Sequence, residues 1–182
     1  MYTVKSKIIV SYIYGHFDGK NGGIMEKHPM RRNLKEITDP LVIDQLLKKT
    51  SVCHLAMSDG GQPYVVPMNY GYADGSFYLH CATEGRKLAV LSRNNRVCIE
   101  VVVEYAIESA ESACDWTTHF TSVIGFGTAH ILEDPLEKEA ALNILMQSFT
   151  GIPKHAFSTQ ALGRVCVIRV DTTDIRAKDS SD

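Results

Sequence analysis

Two short turn signals organise the middle of this chain. Asp59-Gly60-Gly61 and Asp74-Gly75 each separate runs of alternating apolar and polar residues. Asp-Gly and Gly-Gly steps favour the left-handed backbone of two-residue hairpin loops, whose twist matches the strands they join. Residues 51 to 57 put Cys53, Leu55 and Met57 on one face and Val52, His54 and Ala56 on the other, the period of two that a strand requires. Residues 62 to 72 return, and residues 76 to 82 run out again with Phe77, Leu79 and Cys81 on one face. An antiparallel meander is therefore expected here.

The flanks extend this pattern. Thr38-Asp39-Pro40 is a helix start, and Val42, Ile43, Leu46 and Leu47 follow at helical spacing before Lys48-Lys49. Residues 85 to 91 predict a short helix with Leu88 and Leu91 on one side, ended by Asn94-Asn95. Residues 96 to 105 and 121 to 132 read as strands. The second contains Gly125 and Gly127, which mark a bulge or a close backbone approach. Glu133-Asp134-Pro135 opens a helix to about Phe149, with Ala140, Ala141, Ile144, Leu145 and Ser148 along one stripe. Residues 163 to 170 predict a last strand, Val165 and Val167 on one face, and residues 178 to 182 a frayed polar end. The strands are not separated by the regular helices of a parallel sheet. The expected class is mainly β (α+β): a six-stranded antiparallel β-barrel with peripheral helices.

Composition narrows the function classes. The chain has 182 residues, a length that suits one domain, and a net charge of −2 that speaks against nucleic acid or an anionic membrane as partner. No apolar run approaches the ~20 residues that cross a bilayer. Five cysteines, an odd count without a Cys-x-x-Cys pair, suit a reduced, cytoplasmic protein. Residues 1–24 differ from the rest: a β-prone run leads into the turn-rich Gly15 to Gly23 stretch, without the apolar core of a signal peptide. Gly22-Gly23-Ile24 before Met25 can be encoded by a purine-rich stretch ahead of a start codon. Residues 1–24 are thus either translated upstream sequence or an extra edge strand; the domain proper is expected over 25–178, with a polar tail at 179–182.

Common catalytic motifs are absent: there is no Walker, His-Glu-x-x-His or Gly-x-Ser-x-Gly sequence, and Gly125-Phe126-Gly127 lies inside a strand and reads as structural. Three features carry chemistry. Thr83-Glu84-Gly85-Arg86-Lys87 places two cations where a strand ends and a helix begins. A phosphate monoester suits that position: Arg offers a bidentate fork, Lys a point charge and the helix end oriented N–H groups. The plainer alternative is a solvated helix start. Pro63 and Pro67 in one strand remove two ladder donors and confine it to an edge or bulge. Backbone groups freed this way can face a planar polar ligand, and Asn69 adds an amide. His54 and His80 lie on the strand faces opposite the aliphatic residues. They are candidate proton donors and, if cross-strand neighbours, candidate metal ligands, although no carboxylate or Cys completes a set and no metal is expected.

At these residues the sequence resembles the flavin-binding split-barrel superfamily. The runs are Val52-Cys53-His54-Leu55-Ala56-Met57, then Gln62-Pro63-Tyr64-Val65-Val66-Pro67-Met68-Asn69-Tyr70-Gly71-Tyr72, then Phe77-Tyr78-Leu79-His80-Cys81-Ala82 before Gly85-Arg86-Lys87-Leu88, and Ser122-Val123-Ile124-Gly125-Phe126-Gly127-Thr128-Ala129. Within it the chain is most similar to the nitroimidazole-resistance group, related to pyridoxamine 5′-phosphate oxidase. The resemblance implies a homodimer of split barrels with two flavins at the subunit interface. It implies FMN, with FAD the other form, along Val65, Val66, Pro67, Met68 and Asn69. His80, Cys81 and Ala82 would line the ribityl and phosphate path, Arg86 and Lys87 would hold the phosphate, and Ser122 would reach the flavin. Trp116 would come from the second subunit. The activity implied is reduction of a small nitroaromatic such as a 5-nitroimidazole, a route to antibiotic resistance. The alternatives are a non-catalytic flavin- or haem-binding or storage protein, a vestigial dimer, or a pyridoxamine-phosphate-oxidase-like oxidase. The last is disfavoured because residues 175 to 182 lack the Arg-containing tail that grips vitamin B6 in those oxidases.

Overall fold

The computed structural model describes residues 30–180; the expectations for residues 1–24 lie outside them. The elements are β1 (Glu36–Ile37), α1 (Pro40–Leu47), β2 (Val52–Asp59), β3 (Gln62–Ala73), β4 (Ser76–Cys81), α2 (Arg86–Leu91), β5 (Arg96–Glu108), β6 (Thr117–Leu132), α3 (Pro135–Thr150), α4 (Thr159–Gly163) and β7 (Cys166–Asp179). Strands pair in the order β1-β7-β4-β3-β2-β5-β6, and β6 pairs back onto β7. Strands β2 to β7 therefore close the expected six-stranded barrel, and the two-residue β1 adds a short seventh strand at Lys178 and Ala177.

The meander forms as its turns require. Asp59 pairs with Gln62 across Gly60 and Gly61, and Ala73 with Ser76 across Asp74 and Gly75. All four loop residues have positive φ. The inward side chains build the core: Cys53, Leu55, Phe77 and Leu79 are wholly buried with Ile99, Val101 and Ile168. Helix α1 starts where Asp39 accepts a hydrogen bond from the Leu41 N–H at 2.9 Å, and it buries Ile43, Leu46 and Leu47 in the same core. Tyr70 fastens the two together, its hydroxyl donating to the Leu47 carbonyl at 2.7 Å.

Helix α3 lies on the outside, over a second cluster of Leu132, Ala141, Leu142, Leu162 and Val167. Its buried residues are Ala141, Leu142 and Leu145, whereas Ala140, expected on the buried stripe, is exposed. Gly71 sets the contact, because a Cβ there would sit 2.8 Å from the Ile144 carbonyl oxygen and the Leu145 backbone. Gly127 is tighter: its Cβ would fall 2.3 Å from the Asp171 carbonyl oxygen, at the irregularity between Phe126 and Gly127 where β6 meets β7. The structural reading of Gly125-Phe126-Gly127 holds for that reason.

The outer strands run further than their apolar patterns predict. β7 does not end at Val170 but continues to Asp179. There Lys178 pairs with Ser122, and the Ser180 N–H donates to the Phe120 carbonyl at 2.8 Å, so the expected fraying at Lys178 does not occur. The mostly polar side chains of residues 171–179 hide a strand whose backbone is satisfied by β6. Helix α4, capped by the Ser158 hydroxyl on the Ala161 N–H, was not expected from the sequence; its single buried residue is Leu162. Beyond the barrel, β5 and β6 go on pairing as far as Glu108 with Thr117. This two-stranded ribbon exposes Tyr105, Ile107 and Trp116.

Candidate functional site

The barrel is open along one seam. Strand β3 pairs with β2 from Gln62 to Asn69, but with β4 only from Tyr70 to Ala73. Past the Tyr70–Leu79 pair the two strands part, with Asn69 on one lip and His80 on the other. In a two-residue hairpin the residues flanking the loop exchange hydrogen bonds, and the pairs then alternate. Counting from Asp59 and Gln62, the positions bonded to β2 are 62, 64, 66 and 68. The bond from the Tyr70 N–H to the Ser51 carbonyl at 3.0 Å continues the same alternation. Pro63, Val65, Pro67 and Asn69 therefore turn their main-chain groups toward the seam. The prolines stand where an N–H would have no strand partner, which reconciles them with a strand that is central further along. What remains on the edge is a row of carbonyls interrupted by the N–H groups of Val65 and Asn69.

The side chains alternate too. Tyr64, Val66, Met68 and Tyr70 face the core, and Val65, Pro67 and Asn69 face outward and are exposed. Of the five β3 residues expected along a flavin, only Val65, Pro67 and Asn69 turn both main chain to the seam and side chain outward; Val66 and Met68 give their main chain to β2 and their side chains to the core. Register carries the outer face across four strands. Val65 lies beside Ala56 and then Cys98 and Phe126; Pro67 lies beside His54, Glu100 and Ile124; Asn69 lies beside Val52. Ser122, paired with Val102, stands in this same outer row. The outward Val52, Val65, Val102 and Ile124 leave an apolar surface exposed. A cleft of about 420 Å³ opens beside it at the base of the ribbon, between Tyr105, His119 and Phe120.

Of the two expected phosphate-binding cations, Arg86 is next to the seam. Helix α2 begins at Arg86, after Gly85 with φ 130°, a backbone that side-chain-bearing residues rarely adopt. The Arg86 guanidinium lies 4.4 Å from the centre of the Tyr64 ring, on β3 itself. Its Nε and Nη2 donate to Asp59 Oδ2, each at 3.3 Å, while Arg93 Nη2 donates to Asp59 Oδ1 at 2.6 Å. Lys87 turns toward the start of β7, where its charge acts on Cys166. Ala82 is exposed on the segment between β4 and α2. Asp59, Tyr64 and Arg93 were not anticipated at the site. Asp59 carries a hairpin signal in the sequence, and nothing local ties a turn residue to an arginine 27 positions away.

The two histidines separate. His54 is on β2 and His80 on β4, with β3 between them, so they are not cross-strand neighbours and the metal pair weighed from the sequence does not form. His54 Nδ1 lies 2.7 Å from Glu100 Oε2 on the adjacent strand. His80 Nδ1 is buried at the fork of the seam without a hydrogen-bond partner among the described residues, a polar atom left for a ligand or water to satisfy. Cys81, expected beside the ligand, sits with the core-facing residues of β4, in contact with Cys166.

A barrel opened along one strand, with a cation against the open lip, defines the flavin-binding split-barrel class. The chain belongs to the pyridoxamine 5′-phosphate oxidase family, whose sequence profile matches residues 39–179. Among solved structures it is similar to a candidate 5-nitroimidazole antibiotic resistance protein from Bacteroides thetaiotaomicron. The two are 32% identical over 79% of this chain and 86% of that one, with a TM-score of 0.71. The flavocytochrome Anf3 from Azotobacter vinelandii shares the fold at TM-score 0.73 and 20% identity, over 85% of this chain and 73% of its own. A FAD and heme binding protein from Mycobacterium smegmatis does so at 0.72 and 20%, over 81% and 74%. No curated protein matches the chain.

Proposed function

We propose that this protein is a flavin-dependent reductase of small nitroaromatic compounds, with 5-nitroimidazoles as the substrate class and FMN as the bound form of the flavin. The observation that carries the reading is the juxtaposition at the seam: Arg86 lies over Tyr64, and on the same strand residues 65 to 69 leave an unpaired edge. A tricyclic ring with alternating donors and acceptors complements such an edge. The residues fit the group on a second count, since His80 Nδ1 is a buried polar atom at the fork without a partner among the described residues. Val65 and Asn69 would bond the ring through main chain, and Ser122 would reach it from β6. Arg86 and Lys87 would hold the phosphate, with His80, Cys81 and Ala82 along the path between.

A bound flavin supplies electron transfer to a nitro group, which this chain's own side chains cannot provide. The protein's part is to bind, orient and shield. His54, hydrogen-bonded to Glu100 beside Pro67, can pass a proton at its ring nitrogens. The outward Val52, Val65, Val102 and Ile124 and the ribbon residues Tyr105, Ile107 and Trp116 support a homodimer, in which a second copy would cover the ligand's open side. The 32% identity to the Bacteroides protein favours this substrate class over vitamin B6.

The test is direct. The purified chain is loaded with FMN, reduced under anaerobic conditions and mixed with a 5-nitroimidazole. Return of the oxidised flavin spectrum together with the amine product supports the reading. A reduced spectrum that the nitroimidazole leaves unchanged refutes it and favours a flavin store. The mass of the flavin released from protein purified out of cells distinguishes FMN from FAD.

A further inference from the structure

The last register pair between β4 and β7 is Cys81 with Cys166. Directly paired residues of antiparallel strands hold their Cα atoms about 4.5–5.5 Å apart. Disulfides span about 4.4–6.8 Å. The two thiols are close enough for the charge of one to raise the pKa of the other. They also stand at strand ends, Cys81 closing β4 and Cys166 opening β7, where the backbone beyond the pair is free of further β4–β7 ladder and can adjust. Access differs between them: Cys166 is 7% exposed, whereas Cys81 is only partly buried.

We propose that Cys81 and Cys166 form a reversible cross-strand disulfide site, oxidised by small-molecule disulfides. The chemistry needs no bound flavin, although Cys81 also lies on the path that the flavin reading gives the ligand. The more accessible Cys81 sulfur attacks the incoming disulfide, forming a mixed disulfide and releasing one thiol. Cys166 then attacks the Cys81 sulfur and expels the second thiol. Two protein thiols become one disulfide, and the small disulfide is reduced to two thiols, so the two electrons balance. Burial, and then the neighbouring Cys81, hold the Cys166 thiol up at about 11, against the pull of Lys138 and Lys87. Ring closure therefore quickens as the pH rises.

The other cysteines differ in setting. Cys53 is buried, Cys98 is half-buried, and Cys114 is exposed and would react on its own. The experiment accordingly uses the full chain carrying Cys114→Ser, incubated with oxidised glutathione. Four of the five thiols then remain. Titration after denaturation is expected to find two of them lost, the intact mass lower by about 2 Da and no glutathione retained. Proteolysis should yield one peptide pair joined through Cys81 and Cys166, and dithiothreitol should reverse the change. In the Cys81→Ala variant the loss should vanish. Retention of glutathione on Cys81 without ring closure, a link to Cys53 or Cys98, or an unchanged mass overturns the proposal. The peptide map does not depend on the variant, so it decides the matter even if Cys81→Ala does not fold.

Discussion

Replacing Arg86 with Ala tests the phosphate assignment through a difference between two ligands. Arg86 reaches Asp59 with two long bonds of 3.3 Å, and its side chain is 55% exposed. Such a pair contributes ~0–1 kcal/mol. Asp59 is also held by Arg93 at 2.6 Å, so losing Arg86 does not strip the carboxylate of its counter-ion. A guanidinium fork on a phosphate makes two charge-assisted bonds, each contributing ~1.5–3 kcal/mol net when shielded from water. Exposure reduces that sum, and release of Arg86 from Asp59 is a further small cost of binding. The balance is about 1–2 kcal/mol, so Arg86→Ala should weaken FMN by about 5- to 30-fold. Riboflavin carries the same ring without the phosphate, and its affinity should be nearly unchanged. Quenching of flavin fluorescence during titration measures both. Equal weakening of riboflavin and FMN would place Arg86 against the ring rather than the phosphate. Unchanged FMN affinity would remove it from the site.

Three further outcomes concern the scaffold. Gly127→Ala pushes a methyl against the Asp171 backbone at 2.3 Å; this should cost about 2–4 kcal/mol, read as a Tm lower by about 5–15 °C. Tyr70→Phe leaves the buried Leu47 carbonyl without its 2.7 Å donor, and the urea midpoint should fall by the equivalent of about 1–2 kcal/mol. Burial, and secondarily the charge of Glu100, push the Cys53 thiol up from 9.0 to about 12. The unfolded chain therefore loses that proton first, and stability is full below pH 9 and falls as the pH climbs from 9 toward 12, by at most about 1.4 kcal/mol per pH unit. Cys53→Ala should flatten part of this alkaline decline in urea unfolding, and an undiminished decline in the variant would assign it elsewhere, as to Tyr70, whose hydroxyl is also raised by burial.

Local chemistry made the scaffold legible. The two hairpins, the Asp39 and Asp134 helix starts and the inward faces of β2 and β4 follow from turn conformations, capping and a period of two, all properties of neighbouring residues. Arg86 and Lys87 stood out because a strand end next to a helix start is itself a local pattern, and the two prolines because they lack donors wherever they fold. Other features depended on residues distant in sequence. β7 continues through the mostly polar residues 171–179 because β6 supplies their partners, and α3 comes close to β3 where Gly71 leaves room for the Ile144 and Leu145 backbone. Which lip of β3 is open, which arginines Asp59 gathers, why His54 and His80 never meet, and that Cys81 faces Cys166 all depend on strand order and register. Hydrogen bonding between strands sets those, and any one strand carries only half of each pair.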